Sequence, residues 1–93
     1  MGVAFHIPGY LRAFTDGSAR VEVEARGATV GEALERLCAL HRGVRDRVLT
    51  EQGEVRPHVN LFVGRENIRF TGGLATSLPA GAEVWIVPAV SGG

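Results

Sequence analysis

The chain has 93 residues, 45% of them hydrophobic, and its ten acidic side chains balance ten basic ones for a formal net charge of zero. That size and composition suit one small domain with a single core, and the balanced charge leaves no electrostatic footprint for nucleic acid or an anionic membrane. No basic stretch followed by an apolar segment opens the chain, no apolar run reaches spanning length, and the single cysteine, Cys38, excludes an internal disulfide framework. A cytoplasmic protein is therefore expected.

"VAFHI" (residues 3–7) alternates, with Val3, Phe5 and Ile7 on one side and Ala4 and His6 on the other, which predicts a half-buried strand. Pro8-Gly9 breaks it, and "AFTDGSA" supplies turn residues before a second strand, "ARVEVEAR" (19–26). There Ala19, Val21, Val23 and Ala25 are expected to face the core and Arg20, Glu22, Glu24 and Arg26 the solvent, as in a hairpin covered on one face.

Thr29 followed by Glu32 forms a capping box that satisfies backbone donors at a helix start. Val30, Ala33, Leu34, Leu37, Cys38 and His41 recur at helical spacing behind it, and Gly43 is placed to stop the helix. "VRDRVLTEQGE" predicts an irregular turn or short helix with Val44, Val48 and Leu49 against the core.

"HVNLFVG" after Pro57 predicts a third strand, with Val59, Leu61 and Val63 on one face and Asn60 and Phe62 on the other. "ENIRF" suggests a short fourth strand, "TGGLATSLPAG" a loop, and "EVWIVP" a last strand with Val84 and Ile86 on one face and Trp85 and Val87 on the other. One helix against one mixed sheet makes a two-layer α+β domain. The first hairpin, the helical crossover and the last strand fit a β-grasp of four to five strands, its terminal strands parallel in the middle of the sheet. Residues 1–88 would form this domain and 89–93 a flexible tail.

The stretch "IRFTGGLATSLPAGAEVWIVPAVSGG", with its strand, its Pro88-Ala89-Val90 exit and its terminal Gly92-Gly93, resembles the C-terminus of the ubiquitin-like sulfur carriers of the MoaD/ThiS family. "HIPGYLRAFTDG" and "RFTGGLATSL" resemble the branch that serves cysteine biosynthesis. The resemblance implies a β-grasp fold and a reaction at the Gly93 carboxylate. An ATP-dependent, ubiquitin-activating-like adenylyltransferase would adenylate it, and a sulfur donor would displace AMP to leave a thiocarboxylate.

No cofactor would be bound, ATP being used by the activating enzyme. The sulfur acceptor would be a pyridoxal-phosphate cysteine synthase, with a zinc peptidase releasing the product, or the large subunit of a molybdopterin synthase.

Glycine suits such a tail for physical reasons. Lacking Cβ, it threads a narrow channel in conformations closed to other residues, and its activated carbonyl is unshielded and cannot racemise. Pro88 would stiffen the exit while Ser91, Gly92 and Gly93 reach two enzymes in turn.

Phe62, Trp85 and Val87, on the sheet face without helix, would bind these partners together with Pro88, Ala89, Val90 and Ser91, because aromatic residues are usual interface anchors. The alternative is that a loop or the Pro8–Ser18 segment covers that face.

Little else carries chemistry. His6, His41 and His58 are scattered without metal-ligand spacing, Cys38 lies on the apolar helix face, and Gly72-Gly73 reads as a turn. Asp46 between Arg45 and Arg47 reads as a solvated charge cluster. No nucleophile–base set stands out, so the protein is not expected to be an enzyme with catalytic residues of its own. The rival readings are a modifier conjugated through Gly93 and a binding-only module. All ten basic residues are arginine, so no lysine of this chain can accept another copy.

Overall fold

Alternation of apolar and polar residues builds the sheet, and the 3.6-residue period builds the layer above it. The computed structural model describes residues 2–24, 28–79 and 81–89. Strand β1 (Gly2–His6) pairs antiparallel with β2 (Arg20–Glu24), and a 3₁₀ turn over Gly9–Phe14 lies between them in the chain. Helices α1 (Val30–Leu40) and α2 (Arg42–Val48) follow, then β3 (Val59–Val63), the two-residue β4 (Glu66–Asn67) and β5 (Glu83–Pro88). The sheet order is β2-β1-β5-β3-β4, with β1 and β5 parallel and adjacent. This is the expected β-grasp. A parallel pair needs a crossover, which the helices supply.

Val3, Phe5, Val23, Val59, Leu61, Val84 and Ile86 project from one sheet face into a cluster completed by Val30, Ala33, Leu34, Leu37, Val44 and Val48 of the helices. Helix α1 starts as its sequence dictates. The Thr29 Oγ1 accepts the Glu32 N–H at 3.2 Å, and Glu32 Oε1 accepts the Thr29 N–H at 3.3 Å. Gly72-Gly73 is a turn, both residues at positive φ (118° and 62°), which glycine adopts without a Cβ clash.

Several expectations need correction. Ala19 is exposed, because β2 begins only at Arg20, although the Ala19 carbonyl still accepts the Ile7 N–H at 2.8 Å. Val21 and Val63 are half-buried, while Ala25 and Arg26 lie outside the described residues. Ala4 is buried although it points away from the helices, since its ladder neighbours on either side are the longer Glu22 and Glu83. "ENIRF" pairs only through Glu66 and Asn67. The Asn67 side chain accepts the Arg69 N–H at 3.0 Å and turns Ile68–Phe70 into a 3₁₀ turn.

Gly43 does not stop the first helix. The break falls at half-buried His41 (φ −134°, ψ 85°), which caps α1 and precedes α2, and Gly43 lies inside α2. Its missing side chain makes room for Phe14, whose Cδ1 would stand 2.5 Å from an added Cβ and whose ring is held from outside by the Arg47 guanidinium 4.5 Å from its centroid. Gly→Ala in a helix ordinarily stabilises by about 0.5–1 kcal/mol. Here the overpacking, about 1–3 kcal/mol, outweighs that gain. Gly43→Ala should therefore lower the denaturant midpoint.

Candidate functional site

Every second side chain of each strand points away from the helices, and strand register decides which of them meet. Arg20 of β2, His6 of β1, Trp85 of β5, Phe62 of β3 and Asn67 of β4 form one row across all five strands. Sequence reasoning named Phe62 and Trp85, and the structure sets them directly opposite each other. Trp85 is 44% exposed and Val87 37%, whereas Phe62 is half-buried. The Gly9–Phe14 turn leaves Trp85 open and only borders it, through a hollow of about 240 Å³ shared by His6, Pro8, Arg12 and Trp85.

Charge is distributed unevenly on this face. Glu22, Glu24 and Glu83 stand at the end where β5 begins, and the aromatic row and Val87 lie toward its exit. Pro88, unable to donate, occupies the last ladder position opposite Val59, and the Ala89 N–H then donates to the His58 carbonyl at 2.7 Å. The chain thus leaves the sheet along β3. Val90, Ser91, Gly92 and Gly93, which hold the rest of the expected tail and its activated terminus, lie outside the described residues.

His6 is more than the scattered residue its sequence position suggests. Its imidazole lies flat on the Trp85 indole, centroids 3.5 Å apart and planes within 4°. Its Nε2–H donates to Glu83 Oε1 at 2.5 Å. The signal was present in the sequence: His6 and Trp85 both point outward on the two strands that a β-grasp places side by side. Phe70 was also missed. It is 87% exposed and borders a hollow with Phe62, Arg65 and Thr71.

Other candidates carry no chemistry. Cys38 is 8% exposed, and burial pushes its thiol up, with Glu35 and Asp46 adding to the shift and Arg45 opposing it, so it remains a protonated core residue. A groove of about 420 Å³ beside β3 has an apolar floor of Val55, Leu61, Ile68 and Leu74. Its Arg69 Nη2 is committed to the carbonyls of Pro57 and Val59 at 3.1 and 3.2 Å. Among the described residues no three His, Cys, Asp or Glu side chains are grouped to hold a metal ion, and no helix is long and apolar enough to cross a membrane.

Comparison with known proteins gives this open face and its exit strand a context. The model of the ThiS family matches residues 5–93. The sulfur carrier protein CysO of Mycobacterium tuberculosis H37Rv is 39% identical over 95 residues, covering 100% of both chains. Small archaeal modifier protein 3 of Haloferax volcanii is 41% identical over 71% of each chain. Among solved structures, the Amycolatopsis orientalis BexX/CysO complex contains a chain that superposes with a TM-score of 0.84 at 37% identity, covering 98% of this chain and 99% of that one. The chain belongs to the ThiS family, and like its full-length relatives it is a sulfur carrier protein rather than an enzyme.

Proposed function

We propose that Gly93 is the working group of this carrier. Its carboxylate is a poor acyl electrophile. An ATP-dependent adenylating enzyme joins it to AMP with release of pyrophosphate, and a sulfide donor then displaces AMP to leave a thiocarboxylate. The observation that carries this reading is the match to carriers over their whole length, with Gly93 inside the matched span. In support, β5 ends at Pro88, shortly before Gly93 in the chain, and carries exposed Trp85 and Val87. The carrier binds no cofactor, and because its activation consumes ATP the reaction belongs in the cytoplasm.

On this reading the open face docks the adenylating enzyme and the acceptor in turn, with Phe62, Trp85 and Val87 as anchors and Pro88 to Ser91 entering the partner. Trp85→Ala should weaken binding of the adenylating enzyme by about 2 kcal/mol, roughly thirtyfold, while lowering stability by less than about 1 kcal/mol, since the indole is outside the core. Equal affinity with a large loss of stability would show a packing role instead.

The acceptor we favour is a serine-derived aminoacrylate on a pyridoxal-phosphate synthase. The thiocarboxylate sulfur adds to it, and acyl transfer to the amine leaves cysteine amide-linked to Gly93 for a zinc peptidase to release. A docked carrier raises the effective concentration of the sulfur nucleophile. The test offers thiocarboxylated protein to this system and to a molybdopterin-synthase large subunit side by side. A Gly93–cysteine adduct supports the cysteine route, and dithiolene formation without it overturns that choice. The likeness to an archaeal modifier favours one second reading, conjugation of Gly93 to a lysine of another protein. The lysine-free chain offers no side-chain amine for building polymers of itself.

A further inference from the structure

An exposed indole must lose rotamer freedom when it becomes an interface anchor, and that loss weakens binding unless the ring is already held. Trp85 is already held. The His6 imidazole covers one indole face at 3.5 Å and 4°, and Glu83, two residues before Trp85 on the same strand face, fixes the imidazole edge at 2.5 Å. The support is asymmetric in exposure, with the His6 side chain 21% accessible and that of Glu83 51%. His6 is thus the inner member, its ring set by a neighbouring strand, and Trp85, with Phe62 opposite it on β3, is still 44% exposed.

We infer that His6 is a positioning residue for docking, which pre-sets the Trp85 indole as an anchor for an apolar pocket on the adenylating enzyme. The inference rests on the carrier reading above and adds to it the residue that prepares the surface. The charged groups around His6 are Glu83 from β5, Arg20 from β2 at the adjoining ladder position, and Arg12 from the Gly9–Phe14 turn, which lines the same hollow. The stack should be visible in the emission of Trp85, the single tryptophan of the chain.

The test compares wild type, His6→Ala and His6→Phe, the last keeping a flat ring on the indole without the hydrogen-bonding edge. Thermal unfolding first establishes that each is folded. Excited selectively at tryptophan, Trp85 emission should change in His6→Ala, which removes the ring stacked on the indole. Local depolarisation of Trp85 should speed up in His6→Ala and return to the wild-type rate in His6→Phe. With the adenylating enzyme, ATP and sulfide, His6→Ala should raise the KM for the carrier about five- to tenfold at unchanged kcat, and His6→Phe should stay within about twofold of wild type. In a Trp85→Ala background, His6→Ala should have no further effect on KM.

Wild-type depolarisation or wild-type KM in His6→Ala overturns the inference, as does an undiminished His6 effect once Trp85 is gone. If the enzyme leaves wild-type protein unmodified, the carrier reading itself falls and the docking role falls with it, a result distinct from equal KM values for wild type and His6→Ala.

Discussion

Protein lacking Gly93 should melt at the wild-type temperature and yet give no thiocarboxylate. The described core residues lie between Val3 and Ile86, so a change at position 93 removes nothing from the core. Its effect on chemistry is large because the new terminus, Gly92, falls about 3.5 Å short of the reacting position. A misplacement of about 1 Å can already cost a hundredfold. The loss should therefore exceed a hundredfold in the rate of AMP release in the presence of sulfide. The check pairs that assay with thermal unfolding, and activation near the wild-type rate would mean that the reacting carboxylate need not be that of Gly93.

The opposite separation is expected at Phe5. Its ring is fully buried on β1, next to the central strand β5 and under the helices. Phe5→Ala removes the ring from a close-packed site and leaves a cavity, at a cost of about 3–5 kcal/mol. Total stability for a domain of this size is about 5–10 kcal/mol, so the variant should be only marginally folded. Denaturant titration should show a much lower midpoint with an unchanged slope, and the melting temperature should fall by roughly 15 °C or more. Activation should then decline only in proportion to the folded fraction. A specific loss of activation at full stability would place Phe5 in a binding role and contradict its assignment to the core.

These two residues also mark how much could be read from sequence. Phe5 was legible because a period of two puts Val3, Phe5 and Ile7 on one side of β1, and the capping box at Thr29 and Glu32 announced α1 from four residues. That Phe62 and Trp85 share one face of adjacent strands followed once the strand order was assumed, whereas their direct pairing is set by register.

What failed was set by tertiary neighbours. Gly43 looks like a helix stop, but its lack of a side chain serves Phe14, 29 positions earlier in the chain. Ile68 to Phe70 have strand-like composition, yet the Asn67 side chain diverts the backbone into a turn. His6 and Glu83 are 77 positions apart, and only the parallel pairing of β1 with β5 brings them together beside Trp85. Phe70 had no periodic signal at all, because it stands on a turn rather than on a face.

The central claim is that the Gly93 carboxylate becomes the sulfur-bearing group. The most direct measurement is the intact mass of the protein before and after incubation with the adenylating enzyme, ATP and sulfide, followed by fragmentation of its last peptide. The account predicts a gain equal to the replacement of one oxygen by one sulfur, located at Gly93 and absent when ATP is withheld. An unchanged mass, with no AMP released by an enzyme that activates a related carrier in the same assay, would contradict it.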